Sequence, residues 1–106
     1  MRILFDQGTP VPLRSRLRVQ AVVTAYEKGW ATLRNGELLD AAEAEGFKVF
    51  VTTDQNLRYQ QNLSTRKLAV VVLSTTSWSR IKRQAALVES TVNGAIAEQV
   101  SFVQVP

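Results

Sequence analysis

Short apolar segments recur along the chain, and most of them stop at residues that favour turns. The first, Ile3-Leu4-Phe5, ends at Asp6, and the run 68–73 is apolar at every position. Short runs rich in β-branched and other apolar residues, bounded by turn residues, predict strands. The run 68–73 predicts a strand buried on both faces. The whole pattern predicts five strands, at residues 2–5, 19–26, 47–52, 68–73 and 100–105.

The segments between these runs carry helix signals. Pro10 and Pro12 suit the first turn of a short helix, because that turn does not need the N–H groups that proline lacks. Asn35 is the predicted N-cap of a helix over 36–45, since its side chain can accept hydrogen bonds from the first backbone N–H groups. Gly46 is the glycine that commonly follows the last turn of a helix. Two helices are therefore predicted before the third strand.

Two further helices are predicted in the second half of the chain. The polar stretch 55–62 follows the third strand and predicts a helical segment. Ser77 is positioned to cap a long helix, because an apolar stripe with helical spacing begins shortly after it. That stripe consists of Ile81, Ala85, Val88, Val92 and Ala95.

Strands and helices alternate along almost the whole chain, and this alternation predicts an α/β fold. Such chains form a mainly parallel sheet with helices on both faces, because each crossover between parallel strands is right-handed. We therefore predict three layers, a sheet of four to five strands, and a single domain over residues 1–106. The last strand alternates and suits an edge. In such sheets, ligands bind beyond the carboxyl ends of the strands.

Composition narrows the chemistry that the chain can perform. The chain has no cysteine and no histidine, which excludes thiolate nucleophiles, thiolate zinc sites and the usual imidazole base. Carboxylates, hydroxyls and amides remain as ligands. These oxygen donors suit a hard cation, so Mg²⁺ or Mn²⁺ is the expected metal if the protein holds one.

The net charge of +4 is unevenly distributed. Residues 1–54 contain seven of the nine acids, whereas residues 55–106 contain six basic residues and two acids. A basic half suits a polyanion such as RNA, because lysine and arginine neutralise phosphates. The longest apolar run is far too short to span a membrane, and no secretory leader is visible, so no membrane contact and a cytoplasmic location are expected.

Three acids distant in sequence are predicted to converge at one edge of the sheet. Asp6 follows the first strand and Asp54 follows the third, so both lie at the carboxyl edge. Glu37 lies in the first turn of the helix that precedes the third strand, and this turn returns to the same edge. Each acid also has a simpler explanation, because aspartate is common in turns and glutamate is favourable at helix N-termini.

The segments that carry these acids resemble a known family. They read ILFDxxTPxPL from residue 3, NGELL from residue 35 and VTTDQNL from residue 51. In order and spacing, over about residues 1–75, they resemble the PIN-like proteins, which are described as predicted nucleases of predicted toxin–antitoxin systems. The resemblance implies a PIN-like fold and a ribonuclease that depends on Mg²⁺ or Mn²⁺.

The resemblance also assigns roles to residues. It implies that Asp6, Glu37 and Asp54 hold the metal and act in catalysis. Asn56 stands where the family often has a further aspartate, and it can offer a carbonyl oxygen. Thr53, Asn56 and a hydroxyl at Thr75 or Thr76 are candidates to support the ligands. An antitoxin protein is an implied partner, and homodimers are common among relatives.

Several side chains are candidates for contact with RNA. Arg80, Lys82 and Arg83 lie early in the last predicted helix, where the helix dipole disfavours cations by roughly 0.3–1 kcal/mol each. Cations in that position beside the carboxyl edge suit RNA phosphates, although a solvated surface is the simpler reading. Arg58 could act likewise, and Trp30 in a polar loop could stack on a base.

Three functions compete at this point. The first is a metal-dependent ribonuclease, as the toxin of a toxin–antitoxin pair. The second is a PIN-like module that binds RNA or a partner protein without cutting. The third, a phospho-receiver, also places aspartates at the carboxyl edge, but Gln99 and Ser101 flank the last strand where a receiver would have lysine.

Overall fold

The described residues form one sheet of five strands, all parallel. The structure, a computed structural model, describes residues 1–17 and 21–106, and at Arg58 it describes the backbone alone. The strand order is β2-β1-β3-β4-β5, and every neighbouring pair is parallel. The predicted α/β architecture is confirmed. The strands are β1 (Arg2–Phe5), β2 (Ala21–Thr24), β3 (Val49–Thr52), β4 (Ala69–Leu73) and β5 (Val100–Val103).

Helices cover both faces of this sheet. One buried cluster contains Phe5 of β1 together with Leu13 and Ile81, which lie on helical segments over one face. The opposite cluster contains Leu4 with Leu39, which lies on a helix over the other face. Adjacent residues of β1 thus point to opposite layers, as the two-residue period of a strand requires. The α-helices are α1 (Asn35–Ala44), α2 (Leu57–Gln60), α3 (Trp78–Arg83) and α4 (Ala85–Asn93), and the 3₁₀ helices are Val11–Arg16 and Leu63–Thr65.

The burial of the central strands explains their apolar sequences. All five residues of β4 are buried, and so are all four residues of β3. Strands covered on both faces cannot alternate polar and apolar residues, so they read as continuous apolar runs. The edge strands β2 and β5 are only partly buried. The predicted edge position of the last strand is confirmed.

The predicted long helix after Ser77 is wrong as a single element. The helix is interrupted at Gln84, whose backbone (φ −112°, ψ 19°) leaves the helical region and separates α3 from α4. Ile81, Ala85 and Val88 remain buried across the break, so the apolar stripe still faces the core. No glycine or proline marks the interruption, and the sequence pattern therefore did not predict it.

Other boundaries shift by one to a few residues. Asn35 is the first residue of α1 rather than its cap, and Arg34 occupies the N-cap position. Gly46 follows the C-cap residue with φ +80°, a conformation that glycine adopts without strain, so its predicted role is confirmed. The predicted strand 19–26 is observed over Ala21–Thr24, and residues 18–20 lie outside the described residues. Within the described ranges, no helix combines the length and the apolar character that crossing a membrane requires.

Candidate functional site

The candidate site lies where the chain changes direction across the sheet. Strand β1 lies beside β3, and the connection that leaves β1 leads to β2 on one side, whereas the connection that leaves β3 leads to β4 on the other. Sheets with this order form a ligand crevice at that switch point, beyond the carboxyl ends of the strands. Asp6 directly follows β1, and Asp54 comes two residues after Thr52, the last residue of β3. The two aspartates therefore flank the switch point.

Asp6 is held by the turn that follows β1 and by the end of β3. Its Oδ1 accepts hydrogen bonds from the backbone N–H of Thr9 (3.0 Å) and from the Thr9 hydroxyl (2.7 Å). Its Oδ2 accepts a hydrogen bond from the hydroxyl of Thr52. Burial raises the pKa of Asp6, the bonds from Thr52 and Thr9 oppose that rise, and the charge of Asp54 adds to it.

Asp54 is oriented through both of its carboxylate oxygens. Oδ1 accepts a hydrogen bond from the backbone N–H of Asn56 (3.0 Å), and Oδ2 accepts one from the side-chain amide of Asn35 (3.2 Å). Its backbone N–H donates to the Thr52 hydroxyl (3.0 Å), the same hydroxyl that donates to Asp6. Thr52 therefore couples the two aspartates, and their carboxylates are close enough to interact electrostatically.

Glu37 does not join Asp6 and Asp54. Its carboxylate turns back to accept a hydrogen bond from the backbone N–H of Arg34 (3.1 Å), which caps the start of α1. Over residues 1–17 and 21–106, no three aspartate, glutamate, histidine or cysteine side chains form a group that could hold a metal ion. The structure thus brings together Asp6 and Asp54, and it leaves Glu37 exposed at the first turn of α1.

The residues predicted to support the ligands differ in their contacts. Asn56 contributes its backbone N–H to Asp54, and its side chain is exposed. The Thr75 hydroxyl instead accepts a hydrogen bond from the backbone N–H of Ser77 (3.1 Å), a contact within the turn before α3. Thr53 is half-buried between the end of β3 and the turn after β1. Only Asn56 is seen to contact a predicted ligand.

Sequence reasoning missed the polar side chains that hold the two aspartates, namely Thr9, Thr52 and Asn35. A signal for Thr52 was present, because a threonine at the end of an otherwise apolar strand is placed to bond its neighbours in the following turn. Gln55 was also missed. Its side-chain amide donates to the carbonyl oxygen of Ser74 (3.1 Å), which ties the loop after β3 to the loop after β4.

Of the three cations predicted to contact RNA phosphates from the last helix, Arg80 already binds backbone carbonyl oxygens. The Arg80 guanidinium donates hydrogen bonds to the carbonyl oxygens of Val105 (2.9 Å) and Pro106 (2.8 Å), so it fastens the segment after β5 to α3. Lys82 and Arg83 are exposed on α3. The backbone contact gives Arg80 a structural role that the helix-dipole argument did not anticipate.

Trp30 combines a packing role with a position near the site. Its ring meets that of Phe47 edge to face, with centroids 6.2 Å apart, and the Lys28 ammonium lies 5.1 Å from its ring centre. The ring is half-buried, so one part of it remains accessible. Arg58, predicted to contact RNA, has a side chain outside the described part of the structure.

Two cavities meet at the first aspartate. The larger, of about 490 Å³, and the smaller, of about 160 Å³, share Asp6 and Gln7 in their linings. The smaller one also contacts Trp30, Asn35 and Leu38, which places it between Asp6 and the start of α1. Asp6 therefore lines a cavity on both sides of the turn that follows β1.

At Gly8, the turn after β1 packs closely against Thr53, which follows β3. A Cβ at this position would lie 2.4 Å from the Thr53 hydroxyl oxygen, closer than atoms can approach. Gly8→Ala is therefore expected to destabilise the protein by about 1–3 kcal/mol, the usual cost of overpacking. The measurement is urea denaturation of Gly8→Ala, Thr53→Ala and the double variant.

The double variant supplies the control for Gly8→Ala, because Thr53→Ala removes the atom that collides. The double variant is expected to be more stable than Gly8→Ala alone, a coupling that only contacting residues show. Additive effects would mean that the Gly8 turn and Thr53 do not touch as described.

The geometry defines two aspartates that share the Thr52 hydroxyl at a topological switch point, and one α/β fold can carry many unrelated functions. The fold alone therefore does not identify the function. The resemblance to PIN-like proteins stays a prediction. We found no family model, no curated protein and no solved structure that matches this chain.

Proposed function

We propose that the protein is a metal-dependent ribonuclease with a PIN-like fold, which hydrolyses phosphodiester bonds in RNA. The observation that carries this proposal is the pairing of Asp6 and Asp54 across the switch point between β1 and β3. Burial and the charge of Asp54 raise the pKa of Asp6, and a carboxyl group perturbed in this way beside a second carboxylate is typical of functional sites. The surrounding residues hold both groups in place, and among the side chains that the structure describes no cation forms an ion pair with either one.

The donor set fits Mg²⁺ or Mn²⁺. Asp6 and Asp54 offer carboxylate oxygens, and Thr53 and Asn56 lie beside them with further oxygen atoms. Mg²⁺ commonly binds through one or two carboxylates, several waters and the phosphate of its substrate, so two acids are enough. Such a cation would also offset the repulsion between the two carboxylates and favour the charged form of Asp6.

The chain's own residues supply orientation. Thr9 and Thr52 hold the Asp6 carboxylate, while Asn35 and the Asn56 backbone hold that of Asp54. These contacts leave the ligands preorganised for a phosphodiester substrate. When bound, the metal would lower the pKa of a water molecule and stabilise charge on the phosphate.

Glu37 has a looser role in the proposal. The neighbouring Asn35 contacts Asp54, so the first turn of α1 borders the site. Glu37 caps that turn through Arg34 and, being exposed, would act on the attacking water through solvent rather than as a direct ligand.

The proposal extends to partners. The resemblance makes an antitoxin protein and a second copy of the chain the expected protein partners, and Lys82 and Arg83 are exposed cations that could meet the RNA. A gene beside this one that encodes a small DNA-binding protein would support the toxin role. Light scattering measures whether the chain forms a homodimer.

The test is cleavage of a labelled single-stranded RNA with Mg²⁺ or Mn²⁺, by the wild type and by Asp54→Asn. Cleavage is expected to need the metal and to fall by more than about 100-fold in Asp54→Asn, since even residues that only support metal ligands are worth roughly 10- to 100-fold. Asp40→Asn is the matched control, because Asp40 is exposed on α1 and its partner Arg66 keeps Glu43 at 2.9 Å. Equal activity in all three proteins would overturn the proposal.

One observation favours the second candidate, a PIN-like module that binds RNA or a partner protein without cutting. The pair of aspartates has no third acid grouped with it over the described ranges, and Asn56 carries no charge. The same assay separates the two candidates, because a binding module would leave the RNA intact with either Mg²⁺ or Mn²⁺.

A further inference from the structure

The larger cavity beside Asp6 has walls that the proposed hydrolysis does not use. It lies between the turn after β1, the first 3₁₀ helix and the end of β2. Its volume of about 490 Å³ is within the range of roughly 300–1,000 Å³ typical of small-ligand sites. Val11, Arg14, Tyr26 and Glu27 line it on the side away from β3.

An ion pair gives this cavity a fixed planar surface. Arg14 Nη2 lies 2.8 Å from Glu27 Oε1 and Nη1 lies 3.2 Å from Oε2, so the guanidinium and carboxylate face each other as two parallel forks. The backbone N–H of Thr24 donates to Glu27 Oε1 (2.9 Å), and the Glu27 N–H donates to the Thr24 hydroxyl (3.1 Å). The guanidinium plane is thereby tied to the end of β2.

The side chains around this ion pair contribute little to the stability of the fold. Tyr26 is 76% exposed and Val11 is 55% exposed, so neither gains much from burial. Arg14 Nε is buried and has no hydrogen-bond partner among the described residues, which costs stability. An exposed aromatic ring, an exposed apolar side chain and an incompletely satisfied arginine at one cavity indicate a surface kept for a ligand.

The ligand that suits these groups is a flat heterocycle with a polar edge. Unpaired bases of RNA stack on aromatic rings and on guanidinium planes, and they are read by hydrogen bonds at their edges. Tyr26 and Arg14 offer the two stacking surfaces, while Gln7 and Glu27 offer donors and acceptors at the rim. Asp6 lines the same cavity, so a base bound there is next to the carboxyl edge.

We propose that this cavity binds one unpaired base of single-stranded RNA, that of a nucleotide next to the phosphate held at Asp6. The position of the phosphate rests on the proposed function, whereas binding of the base rests on the cavity alone. The substrate is then a single strand, because a base inside a duplex cannot leave its stack to enter the cavity without losing its pairing.

The experiment measures RNA affinity without cleavage. A fluorescently labelled single-stranded RNA of about ten nucleotides is titrated with the protein in EDTA, by anisotropy, with intact RNA and with a set that carries one abasic nucleotide at successive positions. Tyr26→Ala is expected to weaken binding of intact RNA about 5- to 150-fold, which corresponds to the roughly 1–3 kcal/mol of one stacked base. Tyr26→Phe keeps the ring and is expected to retain the affinity of the wild type.

The matched control is Phe102→Ala, which removes an exposed aromatic ring from β5, the opposite edge of the sheet. It is expected to bind as the wild type does. In the wild type, one abasic position should weaken binding, and in Tyr26→Ala the same position should have no further effect, because both changes remove the same contact.

The outcomes separate this inference from the proposed function. RNA binding that depends on Tyr26, without any cleavage, would refute the proposed nuclease activity and support binding of a base in the cavity. Cleavage that depends on Asp6, with RNA affinity unchanged in Tyr26→Ala, would refute the cavity alone. Failure of the wild type to bind the RNA, or equal losses in Tyr26→Ala and Phe102→Ala, would also overturn it.

Discussion

Asp6→Asn is expected to lower metal-dependent RNA cleavage by more than about 100-fold and, at neutral pH, to make the protein more stable. The loss of activity follows because a direct metal ligand is worth more than the roughly 10- to 100-fold of residues that support one. The gain in stability has another cause. Burial disfavours the Asp6 carboxylate, whereas asparagine is neutral; it keeps an oxygen for the hydrogen bonds from Thr9 and gives up the one from the Thr52 hydroxyl.

The gain should amount to about 0.5–2 kcal/mol, the usual size of a stabilising substitution. Each kcal/mol moves the melting temperature of a domain near this size by roughly 4–8 °C. Thermal melting of the metal-free wild type and Asp6→Asn measures it directly.

The pH dependence of this difference has a definite sign. Because the pKa of Asp6 is raised in the folded state, the folded protein holds the proton more tightly than the unfolded chain does. The wild type therefore loses stability as the pH rises from about 3.9, the ordinary value of aspartate, through the raised pKa. Asp6→Asn lacks this loss, so the difference between the two proteins should be small near pH 3 and full above the raised pKa.

The control for the stability effect is again Asp40→Asn, which changes an exposed carboxylate and should shift stability by no more than about 0.5 kcal/mol. A wild type that is more stable than Asp6→Asn at pH 7 would contradict the claim that burial, rather than its hydrogen bonds, dominates the pKa of Asp6.

Leu13→Ala is expected to destabilise the protein by about 2–5 kcal/mol, the range observed for buried leucines. Leu13 is fully buried and is the buried residue of the first 3₁₀ helix, which packs against α3 and α4. The loss is a large part of the roughly 5–15 kcal/mol that a domain of this size has in total. Urea denaturation followed by tryptophan fluorescence measures it.

Leu87→Ala is the matched control for Leu13→Ala, since Leu87 is 48% exposed on α4. It should cost no more than about 0.5 kcal/mol. Equal effects of the two substitutions would mean that the 3₁₀ helix does not rest on Leu13. Because that helix also carries Arg14, its loosening should weaken RNA binding at the larger cavity.

The central strands β3 and β4 were predictable because each is short and mostly apolar, and burial on both faces leaves little room for polar residues. The interruption at Gln84 was not predictable from the same evidence. An apolar stripe reports which side of a segment faces the core, and Ile81 and Ala85 keep facing it whether or not the helix is continuous. The strand order also needed the structure, since it depends on contacts between segments far apart in sequence.

At the site, the ends of the strands predicted side-chain positions better than the start of α1 did. Asp6 and Asp54 were predicted to share one edge because parallel strands end together, and the structure places them so. The side chain that reaches Asp54 from α1 is Asn35, not Glu37. A shift of one residue in the start of a helix turns each side chain by about 100°, and such boundaries are uncertain by one or two residues in any case.

The role of Arg80 shows a second limit. The dipole argument assumed a long helix after Ser77, but α3 has only six residues. The carbonyl oxygens of Val105 and Pro106 lie 25 and 26 residues away from Arg80 in sequence, and they occupy its guanidinium. A contact of this kind depends on where β5 ends, which no local pattern around residue 80 reports.

The most direct measurement of the central claim is paramagnetic broadening of backbone amide signals by Mn²⁺ in the ¹⁵N-labelled protein. If Asp6 and Asp54 share one cation, the signals of residues 6–9 and 52–56 should broaden first, and Asp6→Asn should abolish the effect. Broadening that is centred instead on the exposed acids Asp40 and Glu45 of the α1 region, or that persists in Asp6→Asn, would contradict a metal site at the switch point.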